Sequence, residues 1–301
     1  MPLRLIPEST KMTTLTATKH VASPEQSRQQ PAVQNHAGDA NASPALPLSF
    51  SNIGRTFTDR DAHHTVLRNI SYEIAPGEIV ALLGASGCGK STLLRIAAGL
   101  DAPTTGQVRI GSDPVTGISS RAAVAFQESR LLPWRTIAAN VALGLPLGTP
   151  KHEGAARVAH LLEVVGLSDF AKHRPREISG GMAQRASLAR ALAREPGVLL
   201  LDEPFGALDA LTRLRMQDLV VDIHEQSPTT VLLVTHDVDE ALQLADRVVV
   251  LGRNESDLPG ATIKRDVSVP TPRPRDRAST ELAPLRGELL AELGVSNRDG
   301  R

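Results

Sequence analysis

The chain has 301 residues, with 33 Lys or Arg balanced by 33 Asp or Glu. Because no net positive field favours a polyanion, we expect no nucleic-acid partner. The one cysteine, Cys88, excludes an intrachain disulfide and a multi-cysteine zinc site, which fits a reducing compartment. Since we find neither a membrane-spanning stretch nor a signal peptide, any membrane role is expected to come through partners.

Predicted secondary structure begins after a polar leader. Residues 1–47 are rich in Ser, Thr, Gln, Ala and Pro without periodicity, and we expect them to be disordered. Strand patterns follow in LSFSNI and ISYEI, and the apolar run EIVALLG predicts a strand buried on both faces. This run leads into a glycine-rich loop and a predicted helix, STLLRIAAGL.

The rest of the chain alternates between the two kinds of element. QVRI and AAVAFQ predict strands, and residues 131–193 are mainly helical in pattern. VLLLDEP and TVLLVTH then predict two more buried strands, separated by a helix. This alternation predicts an α/β fold with a mostly parallel sheet.

Beyond Gly252 the pattern weakens. The segment PTPRPRDR predicts an extended linker because its prolines exclude helix. A last helix is predicted from about Thr280 to Leu293, and we expect its leucine face to pack on the chain's own domain. That face consists of Leu282, Leu285, Leu289 and Leu293.

A phosphate-binding loop is predicted at residues 84–91, GASGCGKS, which fit GxxxxGK[ST] between a strand and a helix. Backbone N–H groups there converge on phosphate oxygens at a helix N-terminus. Lys90 would neutralise the β- and γ-phosphates, and Ser91 would ligate Mg²⁺. The predicted ATP-binding residues of this region are Gly84, Ala85, Ser86, Gly87, Cys88, Gly89, Lys90, Ser91 and Thr92. By itself the loop leaves ATPase, GTPase and small-molecule kinase open.

Two acidic residues and a histidine lie at predicted strand ends. Asp202 and Glu203 follow one buried strand, at the edge where open α/β sheets bind ligands. Asp202 would hold Mg²⁺ through water, and Glu203 would activate the water that attacks the γ-phosphate. His236 ends the next predicted strand, where it could hydrogen-bond the γ-phosphate or that water. The predicted catalytic residues are therefore Glu203 and His236.

The sequence ISGGMAQRASLARAL, residues 178–192, resembles the signature of ABC transporter nucleotide-binding subunits. Ser179, Gly180 and Gly181 open a helix and so form a second potential anion site. The resemblance implies a homodimer in which two ATP molecules each touch the phosphate loop of one subunit and the signature of the other. Ile178 replaces the usual leucine and Met182 a frequent glutamine, without changing these three residues.

Three further positions match the family one by one. The resemblance implies that Phe57 stacks on adenine, that Gln127 reaches Mg²⁺ and senses the γ-phosphate, and that Asp209 communicates across the dimer. It implies a P-loop NTPase fold of the ABC type, with an antiparallel β subdomain and a helical subdomain beside the core sheet. The corresponding division is an ATP-binding domain over 48–255, with the helical subdomain at about 131–185, and a linker with a C-terminal helix over 256–301.

The segment FQESRLLPW, residues 126–134, is similar to the group that imports nitrate, taurine and sulfonates, and aliphatic-sulfonate import ATPases are most similar over whole segments. Trp134 can be a buried core residue and a marker of this group at once, and the resemblance implies that its segment borders the surface that receives a membrane subunit. The resemblance implies ATP and Mg²⁺ as cofactors and a peripheral location on the cytoplasmic face of the bacterial inner membrane. Implied partners are two integral membrane permease subunits and an extracytoplasmic solute-binding protein. Taurine or nitrate import and a soluble, non-transport ABC-type ATPase are the alternatives.

Overall fold

The computed structural model of the protein describes residues 44–59, 62–206, 208–253 and 258–295. Its strands are β1 (Leu48–Asp59), β2 (Ala62–Ile74), β3 (Ile79–Leu83), β4 (Thr105–Ile110), β5 (Asp113–Pro114), β6 (Ala122–Ala125), β7 (Val198–Asp202), β8 (Thr230–Val234), β9 (Arg247–Gly252) and β10 (Thr262–Ser268). Its α-helices are α1 (Lys90–Ala97), α2 (Ile137–Val141), α3 (Lys151–Val164), α4 (Gly180–Leu192), α5 (Ala210–Gln226), α6 (Val238–Leu244) and α7 (Ala283–Glu292).

Most of the predicted leader, residues 1–43, lies outside the described residues. Its last residues are described, and the Leu46 N–H donates a hydrogen bond to the Gly197 carbonyl at 3.1 Å. The Leu46 side chain packs on the core shared by the two sheets. Packing therefore begins just before Leu48, where the sequence pattern predicts the first strand.

The central sheet has six strands in the order β10-β9-β3-β8-β7-β6. The five strands from β9 to β6 run parallel, and β10 is antiparallel to β9. Every residue of β3, β7 and β8 is buried, as continuous apolar runs predict for strands covered on both faces. β10 lies in the stretch after Gly252 where the sequence pattern predicts only a linker and the last helix, and it extends the sheet there.

A second, antiparallel sheet has the order β2-β1-β4-β5. Its buried side chains, among them Phe50, Ile53 and Ile70, form one cluster with α1 and with one face of the central sheet. The phosphate-loop helix α1 is therefore packed within the core that joins the two sheets. This helix ends at Ala97, and Gly99 follows its C-cap with a φ of +69°, so a glycine closes the helix.

Helices α2, α3 and α4 pack around an apolar cluster of their own. Asn140, which is fully buried, accepts a hydrogen bond from Leu132 N at 2.7 Å and donates to Leu132 O and Thr136 O. These bonds hold the loop that carries Trp134, whose side chain is 68% exposed. The buried-core reading of Trp134 is therefore wrong.

The C-terminal helix α7 packs its apolar face on the central core. Leu289 is fully buried there, and the leucines at 282, 285, 290 and 293 are partly buried against the same cluster. The prediction that this face covers the chain's own domain is confirmed. Among the residues that the structure describes, no helix is both long and apolar enough to span a membrane.

Candidate active site

The predicted phosphate loop connects β3 to α1 and is open on its outer side. Ala85, Ser86 and Gly87 are exposed, whereas Lys90 is only 5% exposed. Gly89 has a φ of +107°, and a Cβ there would lie 2.7 Å from Leu67 Cδ2, so the turn into α1 requires glycine. The loop therefore presents exposed backbone to a ligand at the start of α1, as the motif predicts.

Lys90 bends back over the loop that precedes it. Its Nζ donates hydrogen bonds to the carbonyl oxygens of Gly84 at 2.7 Å and Ala85 at 3.1 Å. These bonds fix the ammonium group beside the exposed part of the loop. A fixed cation at that place can neutralise an anionic ligand.

Ser91 and Asp202 bring a hydroxyl and a carboxylate together. The Ser91 Oγ donates to Asp202 Oδ1 at 2.8 Å. Burial raises the pKa of Asp202 above its ordinary value, and the hydrogen bond from Ser91 acts in the opposite direction. Hard oxygen donors of these two kinds are the ligands that Mg²⁺ prefers, so the pair fits the predicted metal site.

Glu203 links two of the other predicted residues through one carboxylate oxygen. Its Oε2 accepts a hydrogen bond from Gln127 Nε2 at 3.2 Å and lies 3.3 Å from His236 Nδ1. The His236 side chain is 64% exposed and that of Glu203 21% exposed. The imidazole, the amide and the carboxylate therefore lie together at the edge of the sheet that also carries the phosphate loop.

Sheet topology explains why these residues meet. The phosphate loop follows β3, His236 follows β8, Glu203 follows β7 and Gln127 follows β6, and these are four neighbouring parallel strands. Their carboxyl ends share one edge of the sheet, which is where open α/β sheets bind ligands. The prediction that His236 ends its strand is wrong. β8 ends at Val234, and His236 lies on the loop that follows.

The signature residues cap a helix. The Ser179 Oγ accepts a hydrogen bond from Met182 N at 3.2 Å and so forms the N-cap of α4. Ser179 and Gly180 are exposed, and a Cβ at Gly180 would have no atom within 4 Å. This helix start is therefore open to a ligand or a partner.

Asp209 caps the next helix, α5. Its Oδ1 accepts a hydrogen bond from Thr212 N at 3.0 Å. Hydrogen bonding by the Thr212 side chain, and then by its backbone, holds the pKa of the Asp209 carboxyl below its usual range. Leu208 packs close to Gly181, so the signature and Asp209 lie near each other. The hydrogen bonds of the Ser179 and Asp209 side chains stay within their own helix starts, so their nucleotide roles remain predictions.

Phe57 lies on β1, opposite His64 of β2, and is 41% exposed. The Arg55 guanidinium covers one face of its ring, 4.2 Å from the centroid, and is itself held by Asp101 through two hydrogen bonds of 2.8 and 3.1 Å. The ring therefore lies outside the buried core, but one of its faces is already covered. Its adenine-stacking role remains a prediction.

Comparison with known proteins decides the family. Residues 67–206 match the family described as ABC transporter. The aliphatic sulfonates import ATP-binding protein SsuB 2 of Burkholderia lata is 48% identical over 255 residues, which cover 85% of this chain and 88% of the relative. SsuB 1 of Xanthomonas axonopodis pv. citri is 50% identical over 250 residues, covering 82% and 96%. The chain belongs to the ATP-binding proteins of ABC transporters.

Solved structures of ABC ATP-binding proteins share the fold. A dimeric bacterial ABC transporter cassette aligns with a TM-score of 0.66 at 30% identity and covers 74% of this chain and 99% of its own. A dimeric post-hydrolysis state of an ATP-binding cassette, bound to ADP and Pi, aligns with the same score at 29% identity and the same coverage. The predicted α/β fold of the ABC ATPase type is confirmed, and a small-molecule kinase is excluded.

Two residues that support the site of this ABC ATPase have no predicted role from the sequence. Gln184 of α4 donates from Nε2 to Phe126 O at 2.7 Å and so holds the backbone beside Gln127. Asp237 caps α6 by accepting from Asp239 N and Glu240 N, at 2.9 and 3.2 Å. An acidic residue just before a short apolar helix is a recognisable cap signal, whereas the contact of Gln184 has no sequence signal.

Proposed function

We propose that this ABC ATPase energises the uptake of aliphatic sulfonates, with Mg-ATP bound at the edge formed by β3, β8, β7 and β6. The observation that carries the ATPase site is the shared Glu203 oxygen, which lies within 3.3 Å of both Gln127 and His236. Support for the solute comes from relatives with 45 to 52% identity, whose names specify aliphatic sulfonates import.

Mg-ATP fits the residues present. Lys90 and the exposed loop would hold the phosphates, and Ser91 and Asp202 would hold Mg²⁺, Asp202 through water. When bound, Mg²⁺ supplies positive charge that offsets the negative charge on the phosphate oxygens. Gln127 would complete the metal site, since its amide already lies beside Glu203.

Hydrolysis follows from the arrangement around Glu203. Its carboxylate would accept a proton from the attacking water, and the His236 imidazole would orient that water or the γ-phosphate through a hydrogen bond. The bond from Gln127 and the nearby imidazole restrict the carboxylate to one orientation. A base held in place in this way contributes through both proton transfer and positioning.

Two copies of the chain would complete each site. Ser179, Gly180 and Gly181 expose the start of α4, where N–H groups and the helix dipole favour a phosphate of the nucleotide held by the partner. ATP then contacts both subunits and favours the closed dimer, because its affinity for that state is greater. Asp209, exposed at the start of α5, would report closure across the dimer.

The transport partners would be two membrane permease subunits and an extracytoplasmic solute-binding protein. The exposed Trp134 lies in the segment proposed to border the permease contact, on the cytoplasmic face of the inner membrane. No residue of this chain is proposed to touch the sulfonate. Specificity would reside in the partners, and the ATPase would supply the conformational energy.

Growth on a defined sulfur source tests the proposal. A strain without this chain should fail on an alkanesulfonate as sole sulfur source, grow on sulfate, and recover with the wild-type chain but not with Glu203→Gln. Equal expression of both rescue chains is the control. Selective failure on taurine, or on nitrate as sole nitrogen source, would instead assign one of those solutes and leave the ATPase role intact.

A further inference from the structure

Residues 270–293, which we call the C-terminal strap, run along α6, the helix that follows His236. The strap forms no helix over its prolines, as predicted, but it is not a free linker. Arg275 is only 9% exposed, and its Nη1 donates to the carbonyl oxygens of Leu242 at 3.0 Å and Gln243 at 3.2 Å. The Gln243 side chain returns a hydrogen bond to Arg275 O at 2.8 Å.

A second arginine of the strap holds the next carbonyl of α6. The Arg273 Nη1 donates to Leu244 O at 2.8 Å and to Asp246 Oδ1 at 2.7 Å. The other oxygen of Asp246 accepts from Ile79 N at 2.8 Å. Since Ile79 begins β3, one carboxylate connects the strap to the strand that leads into the phosphate loop.

The strap also contacts the beginning of α6. Arg286 of α7 forms a paired interaction with Asp239, with Nε–Oδ1 and Nη2–Oδ2 distances of 2.5 and 2.9 Å. Leu289 of α7 is fully buried in the cluster that includes Val238 and Ala241 of α6. The strap therefore holds this helix at its first turn, on its apolar face and at its last turn.

These contacts matter because α6 is too short to be held in place by its own hydrogen bonds. It has seven residues, and its last carbonyl groups have no partner within the helix. Buried guanidinium groups satisfy those carbonyls and complement the negative end of the helix. Since His236 stands directly before the N-cap Asp237, a shift of α6 moves the imidazole relative to Glu203.

We infer that Arg273 and Arg275 are positioning residues for ATP hydrolysis, which set the place of α6 and thereby the distance between His236 and Glu203. The inference rests on the role proposed for His236. It assigns the strap a part in turnover and no part in nucleotide binding, because its described contacts do not include the phosphate loop.

Arg275→Gln in the full chain tests this role. We expect the kcat of ATP hydrolysis to fall about tenfold, since small displacements of a catalytic group reduce rates strongly. The KM for ATP should change less than about twofold, because the substitution leaves the residues that bind ATP unchanged. Arg275→Lys, which keeps a donor for the carbonyls, should recover most of the rate.

Arg277→Gln is the matched control. Arg277 belongs to the same strap, but it donates to Gln217 Oε1 at 2.8 Å and pairs with Asp218, both on α5. The control should lower the melting temperature to a similar degree and keep kcat. Rates are expressed per bound nucleotide, which removes any contribution of unfolded protein.

A double variant with His236→Ala distinguishes failure of this inference from failure of the role proposed for His236. If Arg275 acts through His236, Arg275→Gln should add little further loss in that background. Loss by the same factor in both backgrounds, or a kcat no lower than that of Arg277→Gln, would overturn the inference. Wild-type turnover by His236→Ala alone would instead overturn the role proposed for His236, and the inference with it.

Discussion

Glu203 has a backbone φ of +45°, a left-handed conformation that residues with a side chain seldom adopt. Its N–H nevertheless continues the sheet by donating to Val234 O at 2.9 Å. The change of direction occurs directly after Asp202, whose side chain turns toward Ser91. Two adjacent carboxylates are thereby sent to different partners, and strained backbone of this kind is common at functional sites.

Replacement of Glu203 by Gln should separate binding from hydrolysis. The amide keeps the size of the side chain but cannot accept the proton of water, so turnover should fall by roughly 10² to 10⁴ while ATP affinity is retained. Single-turnover kinetics and equilibrium ATP binding measure the two effects. Wild-type turnover in this variant would remove Glu203 from the role of base.

Phe57→Leu tests the predicted adenine contact. The ring has one face covered by Arg55, and a base on the other face would lose an aromatic stack of about 0.5 to 1.5 kcal/mol. The KM for ATP should therefore rise up to about tenfold with little change in kcat. A matching change at His64→Ala, on the paired strand, would point to the hairpin and not to the ring.

Motif residues could be predicted from the sequence because each is local. A glycine-rich turn after a buried strand predicts phosphate binding, and acidic residues at a strand end predict a metal or catalytic site, whatever the fold of the rest of the chain. The joint contact of Gln127 and His236 with one Glu203 oxygen could not be predicted, since it depends on strand order. Nothing in the residues themselves states that β6, β7 and β8 are neighbours.

At the scale of the elements, α6 combines a functional position with a buried acid. Glu240 is 5% exposed, and its Oε1 has no hydrogen-bond partner among the described residues. Burial raises the pKa of Glu240 to about 8, Asp237 and Glu203 add to the rise, and Thr235 and Arg213 oppose it. The carboxyl is thus largely protonated in the folded protein at neutral pH.

Glu240→Gln should flatten the pH dependence of stability. The folded protein holds this proton up to about pH 8, whereas the unfolded chain releases it near its ordinary value of 4.5. The free energy of unfolding therefore falls as pH rises between these values, by up to about 1.4 kcal/mol for each pH unit. Denaturant unfolding at pH 6 and pH 8 measures the slope.

The control for that experiment is Glu225→Gln, an exposed carboxylate on α5. It should leave the slope of the wild-type protein unchanged. Equal losses of stability between pH 6 and pH 8 in the wild type and in Glu240→Gln would show that Glu240 does not carry the linked proton.

The elements that sequence patterns missed have physical features in common. β10 lies at the edge of the sheet, has only two apolar residues, Ile263 and Val267, and has no fully buried position, so it lacks the apolar run of β3. Its pairing with β9 is supported by the ion pair of Asp266 with Arg247, and Lys264 pairs with Glu292 of α7. The strap arginines bind carbonyls of a distant helix, and no periodicity in PTPRPRDR indicates such partners.

At the scale of the whole molecule, the phosphate loop and the signature residues both have exposed backbone, so both are accessible to a second copy of the chain. Gly180→Glu tests this assembly, because its open surroundings should preserve the fold and an acidic residue is tolerated at a helix start. The added charge would repel the γ-phosphate of the partner's ATP. We expect a wild-type melting temperature and loss of ATP-dependent dimers in the Glu203→Gln background.

Analytical ultracentrifugation with and without Mg-ATP measures that dimer. Glu203→Gln alone is the reference, since slow hydrolysis should leave its ATP-bound dimer populated. A double variant that dimerises equally well would place the partner contact somewhere other than the start of α4.

The pairing of β3 has a consequence for synthesis of the chain. This strand and the phosphate loop leave the ribosome early, but β3 pairs with residues 231–234 and 247–250 and, among the described strands, with none that precedes it. The nascent chain must therefore carry an apolar strand without its neighbours until nearly the whole domain has been made, and such long-range pairing is slow. We therefore expect nucleotide to stabilise the emerging chain only after β8 and β9 have been made.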